Sequence, residues 1–239
     1  MKKLSYVLIT LLLSYYQNCF SQDYVIEYSH KINFETNLTE ATYNLETNKQ
    51  ESVYHLIKNK YNQLNSNEVI NANEGVVPFL YKNFRTKKII YNQPIINKIL
   101  FINEDIPLQT WKLENEIKNI KSLTCKKATS TFRGRTYVAW YTEDINILGG
   151  PWKFDGLPGL ILAIASDDGV LNIEAIKIEK KDNLKLTNFQ YEVDKLITWK
   201  EYCSKYNQVI DRIKKNMKAD SDPDAEYDIK IDLVEYIGL

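Results

Sequence analysis

The chain is poor in the residues on which protein chemistry most often depends. Its 239 residues include 2 His, 3 Cys, 8 Gly and 6 Pro, and its 31 Lys+Arg balance its 31 Asp+Glu. So few cysteines exclude a disulfide-dense miniprotein, and so little glycine and proline exclude a collagen-like chain. A formal net charge of zero removes any bulk electrostatic reason to expect nucleic acid as a partner.

The residues that are present are those of an ordinary folded protein. Hydrophobic residues make up 44% of the chain, aromatic residues 12% and charged residues 26%. This composition excludes general disorder and predicts one domain, which we expect to span residues 22–239. After the first residues no stretch is apolar for long enough to cross a bilayer, so we expect no transmembrane segment in the mature chain.

The first residues have the pattern of a secretory signal peptide, residues 1–21. A basic start, Met1-Lys2-Lys3, precedes an apolar run from Leu4 to Leu13 and a polar stretch that ends at Ser21. A membrane anchor needs about 20 apolar residues, more than this run contains. Lipidation at Cys19 is disfavoured because Asn18 is larger than the small residue expected before a lipidated cysteine. The pattern predicts export to the periplasm, the cell surface or the medium.

Removal of that segment leaves two cysteines, Cys125 and Cys203. In an oxidising compartment the two could form a disulfide, and each could equally be a small buried apolar side chain. We favour two free, buried thiols.

Most of the chain has the alternating pattern of β-strands. From Tyr24 to Phe34 the even positions are apolar or aromatic and the intervening ones are polar, which predicts a half-buried strand with His30 on its core face. A polar stretch, Asn59 to Asn73, predicts a loop. Further strand-like runs are Ala41–Leu45, Val53–Ile57, Val76–Phe84, Lys88–Tyr91 and Ile99–Ile102.

Two hairpins are predicted in the second half of the chain. Arg133-Gly134-Arg135 separates the β-rich runs Leu123–Phe132 and Thr136–Thr142. Asp167-Asp168-Gly169 separates Gly156–Ala165 from Val170–Ile178, and a change of phase between Ala175 and Ile176 predicts either a β-bulge or the end of the strand.

One helix is predicted late in the chain. It begins at Thr198, which forms a capping box with Glu201, and its apolar residues from Trp199 onward follow helical spacing. Alternation from Tyr227 to Leu233 predicts a last strand. Short hairpin links leave no room for repeated crossover helices, so the predicted class is α+β, a mainly antiparallel curved sheet with a C-terminal helix.

The sequence contains no recognised catalytic motif. It has no phosphate-binding glycine loop and no nucleophile elbow. His30 and His55 lack metal-ligand spacing, and Cys125 has no catalytic context. We expect no metal and no cofactor.

Residues 125–162 are the richest in unusual residues, because glycines, prolines and tryptophans crowd there. They predict a loop of fixed shape, which either closes the end of a sheet or forms a recognition surface. The candidate binding residues in this region are Arg133, Arg135, Trp140, Tyr141, Trp152 and Lys153.

The same region carries a family resemblance. Five blocks in order resemble the GLPGLI family of exported Bacteroidetes proteins: Cys125-x-Lys127-Ala128, Phe132-Arg133-Gly134-Arg135, Ala139-Trp140-Tyr141-Thr142, Gly150-Pro151-x-Lys153-Phe154 and Gly156-Leu157-Pro158-Gly159-Leu160-Ile161. Ser122-Leu123 and Asn146 depart from the family pattern. The resemblance implies export and a largely β domain, with a LolA-like half-barrel as the suggested fold, and it implies no catalytic residues.

Three functional hypotheses follow. The first is a non-enzymatic binding or interaction module of the cell envelope, whose partner is an envelope protein or a small apolar or anionic ligand. The second is an envelope hydrolase or transferase that uses Asp144 or Asp155 near Arg135. The third is a carrier of a lipid-like ligand, which requires an apolar cavity between the sheet and the helix that contains Trp199.

Overall fold

A computed structural model describes residues 23–34, 37–61, 77–96, 98–219 and 234–235. The predicted signal peptide, most of the asparagine-rich stretch and the predicted strand 227–233 lie outside the described residues. Within them the secondary structure consists of eleven β-strands, one α-helix and a short 3-10 turn at Val193–Lys195. The elements are β1 Asp23–Phe34, β2 Asn37–Thr47, β3 Glu51–Tyr61, β4 Phe79–Asn83, β5 Lys88–Ile95, β6 Lys98–Asp105, β7 Lys112–Ile120, β8 Leu123–Phe132, β9 Arg135–Thr142, β10 Leu160–Ser166, β11 Leu171–Lys181 and α1 Trp199–Ala219.

The strands form one antiparallel sheet in the order β6-β5-β4-β3-β2-β1-β11-β10-β9-β8-β7. The chain runs outward from β1 to one edge, passes to the opposite edge, and returns from β7 to pair β11 with β1. The sheet is open, because β6 and β7 are its edges and do not pair. The predicted α+β class is confirmed, as an open curved sheet and not a closed barrel.

The connection between the two edge strands shows how strongly the sheet curves. In a flat sheet β6 and β7 would lie about 48 Å apart, ten strand spacings. Residues 106–111, which join them, can span at most about 25 Å. The sheet therefore bends so that its edges approach each other, and residues distant along the chain meet inside the curve.

The alternation in β1 places its even positions in the core, as predicted. Ile26, Tyr28 and His30 are buried. In the partner strand β11, the pairing shifts where Glu27 lies opposite Lys177 and Tyr28 opposite Ala175. Ile176 is the extra residue and is exposed, so the predicted bulge is confirmed.

Both predicted hairpins form. Phe132 pairs with Arg135 across Arg133-Gly134, and both turn residues have positive φ (42° and 83°), the geometry of a tight hairpin turn. The strand that follows Gly159 begins at Leu160, not at Gly156. One strand was not predicted: β7 is mostly exposed and has no apolar alternation, as is common for an edge strand.

The helix α1 begins where the capping box predicts. Thr198 N donates to Glu201 Oε2 at 2.7 Å, and Glu201 N donates to Thr198 Oγ1 at 3.2 Å. Tyr202 of α1 donates from its hydroxyl to Pro94 O at 3.0 Å, which ties the helix to β5. In the part of the chain described, no helix has the length and apolarity needed to cross a membrane.

Cys125 and Cys203 are both free thiols, as we favoured from the sequence. Cys125 is buried in the core as predicted, but the prediction that Cys203 is buried is wrong, because this residue is partly exposed on α1.

Candidate functional site

The glycine loop, residues 149–159, lies against the interior of the curved sheet. Its glycines are required by close approach: a Cβ on Gly159 would lie 2.0 Å from Thr142 O, and one on Gly150 would lie 2.8 Å from Ile161 Cβ. The connection between β6 and β7 holds the loop through Gln109 Nε2, which donates to Lys153 O at 3.1 Å. The loop is thus a fixed part of the interior.

A buried ion pair joins the glycine loop to β4. Lys82 Nζ lies 2.8 Å from Asp155 Oδ2, and the Lys82 side chain is 0% exposed. The same ammonium donates to Gly150 O at 3.2 Å and to Phe154 O at 3.3 Å. Burial lowers the pKa of Lys82 and raises that of Asp155, while each charge opposes the shift in the other. Asp155 therefore holds the loop in place and does not point into solvent.

A second buried cluster contains four charged groups. Arg133 binds two carboxylates, Glu104 at 2.7 Å and Glu235, and Lys153 Nζ lies 2.6 Å from the other oxygen of Glu235. Lys153 is 0% exposed and Glu235 is 5% exposed at their side chains. The two cations and two carboxylates compensate one another away from water. We call these four residues the charge cluster.

Aromatic rings surround the cations of the charge cluster. Lys153 Nζ lies 4.0 Å from the centre of the Tyr91 ring and 4.6 Å from that of Trp199, and the Arg133 guanidinium lies 3.9 Å from that of Trp199. Burial lowers the pKa of Lys153 to about 8, an effect that Glu235 partly offsets. The cations are thus held by ring faces and carboxylates and have little contact with solvent.

The candidate binding residues from the sequence do not form one surface. Arg133 and Lys153 meet at Glu235, with Trp152 5.5 Å from Lys153 Nζ. Arg135 donates instead to Asp168 at 2.8 Å and to Val234 O at 2.6 Å. The remaining two lie elsewhere: Trp140 packs under Lys118 of β7, and Tyr141 is buried.

Sequence reasoning missed Glu104 and Glu235 of the charge cluster and the rings of Tyr91 and Trp199 that contact its cations. Their partners lie far along the chain; Arg133 and Glu235, for example, are 102 positions apart. No local pattern marks such pairs, because they meet only through the curvature of the sheet. The surplus of positive charge at Arg133-Gly134-Arg135 was the one available signal that carboxylates lie opposite.

A groove lies apart from the charge cluster, beside β3 and β4. It has a volume of about 430 Å³ and opens to solvent between strands β3 and β4 and the strap, residues 184–191. Phe189 of the strap stacks on Phe79 of β4 at 4.6 Å between ring centres. Tyr81 and Tyr191 are partly exposed at the groove. Its polar and charged lining side chains are Asn48, Glu51, Lys185, Thr187 and Asn188.

Two buried carboxylates fix the strap to the sheet. Glu46 accepts hydrogen bonds from Thr187 N at 2.6 Å and Thr187 Oγ1 at 2.7 Å, and Asp23 accepts one from Leu184 N at 2.7 Å. His55 Nε2 lies 3.1 Å from Glu46. Burial would raise the pKa of Glu46, but the hydrogen bonds from His55 and Thr187 outweigh it and hold that pKa below its usual value.

The acids of the hydrolase hypothesis are not assembled with Arg135. Asp155 is paired with Lys82, Asp144 is exposed, and Arg135 is paired with Asp168. Among the described residues, no group of His, Cys, Asp and Glu side chains is arranged to hold a metal ion.

The interface that a lipid carrier would need is occupied by protein side chains. Trp199 stacks on Tyr202 at 5.4 Å between ring centres and covers Arg133 and Lys153 of the charge cluster. The groove described above is lined by strands and the strap, without residues of α1.

The fold defines a class, a single curved antiparallel sheet with a loop packed inside the curve. Residues 38–201 match the family model described as "N-glycanase peptide, N-terminal domain". The match covers well over half of the chain, and the chain belongs to this family. No curated protein matches it.

Two solved structures of PNGF-II, in space groups C2 and P21, are similar to this chain. They share 22% and 20% sequence identity with it, with TM-scores of 0.48 and 0.45. The alignments cover 69% and 72% of this chain but only 28% and 31% of those chains. This chain therefore spans less than a third of the length of the solved relatives.

The resemblance to the GLPGLI family is wrong, because the family model that matches is the N-glycanase N-terminal domain. The motif itself has a local physical origin. A Cβ on residue 159 would lie 2.0 Å from Thr142 O, so only glycine fits there. Leu157, Leu160 and Ile161 are buried in the core. A six-residue segment set by such packing describes a loop and does not identify a family.

Proposed function

We propose that this chain is an exported, non-enzymatic glycan-binding module that holds N-linked glycans in its groove. The observation that carries the proposal is the aromatic groove between the strap and β4. Membership in a family named for an N-glycanase gives the class of ligand. Residues 22–239 form the proposed domain, and the signal peptide provides its export.

The lining of the groove suits a sugar. Partly exposed aromatic rings, Tyr81 and Tyr191, offer flat apolar faces for the C–H groups of a pyranose ring. Asn48, Asn188 and Thr187 supply amide and hydroxyl groups at the rim for sugar hydroxyls. A volume of about 430 Å³ is within the range of small-molecule sites and accommodates part of an oligosaccharide.

The same lining favours binding over glycoside hydrolysis. Hydrolysis of a glycosidic bond uses two carboxyl groups that face each other across the bond. Among the described residues that line the groove, Glu51 is the one acid, and Glu46 behind it is bonded to Thr187 and His55. This part of the lining supports binding of a sugar over cleavage of its glycosidic bond.

Isothermal titration with an N-linked glycopeptide tests the proposal. We expect the wild-type protein to bind it and to ignore the same peptide without its glycan. Tyr191→Ala should weaken the affinity about fivefold, since one stacked ring contributes about 1 kcal/mol.

The matched control is Trp140→Ala. Trp140 is also a partly exposed aromatic residue, but it packs under Lys118 and does not line the groove. Unchanged affinity in this variant is expected. Loss of binding in Trp140→Ala with full binding in Tyr191→Ala would place the ligand on β9 and contradict the proposed groove.

A further inference from the structure

The charge cluster has a feature that its role in folding does not explain. Three of its four residues, Arg133, Lys153 and Glu104, come from the hairpin turn, the glycine loop and β6. Glu235 belongs to no helix or strand and is positioned by side-chain contacts. Beside it, Arg135 donates to Val234 O at 2.6 Å. The sheet and its loops thus supply Arg133, Lys153 and Glu104, which we call the receptor. A separate segment, Val234 and Glu235, supplies one carboxylate.

The receptor is shaped for a carboxylate. Arg133 Nη1 donates to one oxygen of Glu235 and Lys153 Nζ donates to the other at 2.6 Å. The faces of Trp199 and Tyr91 complete its wall. Two cations that grip separate oxygens of one carboxylate, between ring faces, form an anion site of defined orientation.

The cations need an anion from outside the sheet. Without Glu235, Arg133 and Lys153 would share the single carboxylate of Glu104, and a buried charge would be left uncompensated. The cluster also lies close to the surface, because the side chains of Arg133 and Glu104 are each 13% exposed. Of the four residues, Arg133 and Glu104 are thus the ones that solvent reaches most, since Glu235 is 5% and Lys153 0% exposed.

We propose that Arg133, Lys153 and Trp199 form a carboxylate-binding site in which Glu235 is an internal ligand that an external carboxylate can replace. The ligand class is a carboxylic acid in its ionised form, either a bare carboxylate or that of a sugar acid. The site is separate from the groove and does not depend on glycan binding there. Glu235 competes with external acids, so the wild-type protein responds to them weakly.

Chemical rescue of Glu235→Ala tests this site. The variant opens the space of one carboxylate and should lower the melting temperature by about 10 °C. At pH 7 and constant ionic strength, sodium acetate should restore at least about 3 °C with a saturable dependence on concentration. Acetamide and sodium chloride should restore nothing, because neither supplies a carboxylate.

Two arms identify the source of the carboxylate. Sodium glucuronate is compared with acetate, and glucose serves as its neutral control. Saturation by glucuronate at a lower concentration than acetate indicates a sugar acid, and equal responses indicate a bare carboxylate; both support the site.

Glu235→Gln is the matched control. Its amide fills the same space, so it should lose stability and remain insensitive to acetate. The wild-type protein should respond to acetate more weakly than Glu235→Ala, because Glu235 competes for the site. Equal responses of Glu235→Gln and Glu235→Ala to acetate would overturn the proposal. Absence of a carboxylate-specific response in folded Glu235→Ala would also overturn it.

If Glu235→Ala folds only in acetate, the recovered yield of folded protein is the measure of rescue. Failure to fold in any carboxylate buffer also overturns the proposal.

Discussion

At the scale of single residues, this fold depends on charges that lie inside it. Lys82 and Lys153 are both fully buried, and each has a carboxylate within 2.8 Å. A buried ion pair contributes little net stability relative to an apolar pair, but removal of one partner leaves the other uncompensated. The sequence predicted none of these pairs, because each lysine meets a residue from a distant part of the chain.

The Lys82–Asp155 pair leads to the first stability prediction. Lys82→Met should lower the free energy of unfolding by about 3–5 kcal/mol, since Asp155 would be left buried with no cation. The double variant Lys82→Met/Asp155→Leu should recover most of that loss. Urea denaturation of the wild type and of both variants gives the values. A double variant that is less stable than Lys82→Met contradicts this account of the pair.

His30 was predicted to be a packed core histidine, and this is confirmed, because it is buried and its Nδ1 lies 3.1 Å from Tyr54 Oη. Burial lowers the pKa of His30 from 6.5 to about 4. The unfolded chain therefore takes up a proton between pH 6.5 and pH 4 that the folded protein resists. The stability that neutral His30 contributes is fully present above pH 6.5 and is lost as the pH falls toward 4.

We expect this effect to reach about 3 kcal/mol. Unfolding free energies measured by urea at several pH values between 7 and 4 give the slope. The double variant His30→Phe/Tyr54→Phe removes both hydrogen-bonding partners together. Its loss of unfolding free energy between pH 7 and pH 4 should be smaller than that of the wild type by about 3 kcal/mol. An unchanged slope in the double variant would show that other groups cause the acid sensitivity.

At the scale of elements, the strap is the part on which the proposed function most depends. It has no regular secondary structure, and it is held by Glu46 and Asp23 from below and by the stack of Phe189 on Phe79. The attachment of the strap to the sheet could not be predicted from its sequence, because hydrogen bonds from backbone amides to distant carboxylates have no local signature. The strands themselves were mostly predictable, since burial of one face imposes period two on them.

Glu46→Gln tests how the strap is held. The Thr187 amide should exchange with solvent faster in this variant, because the charged acceptor of its hydrogen bond is gone. In the wild type the same acceleration should appear as the pH falls through the lowered pKa of Glu46, after correction for intrinsic exchange rates. Hydrogen–deuterium exchange with mass spectrometry measures both. Glu192→Gln, an exposed acid beside the strap that pairs with Lys195, should leave exchange at Thr187 unchanged.

At the scale of the whole molecule, the curvature of the sheet determines which distant residues come into contact. The short connection between β6 and β7 brings the two edges of an eleven-stranded sheet toward each other, and the charge cluster forms where they approach. The class and the strand pattern followed from alternation and turn residues. Neither the sheet order nor the position of Glu235 against Arg133 could follow from them, because both depend on long-range packing. The family also could not be inferred from a short loop motif.

We propose that this chain holds an N-linked glycan without cleaving it. Native mass spectrometry of the mature protein mixed with an N-linked glycopeptide tests it most directly. We expect a one-to-one complex with the intact glycopeptide, a free glycopeptide of unchanged mass after prolonged incubation, and a smaller fraction of complex in Tyr191→Ala. Release of the glycan, or a complex that persists undiminished in Tyr191→Ala, would contradict it.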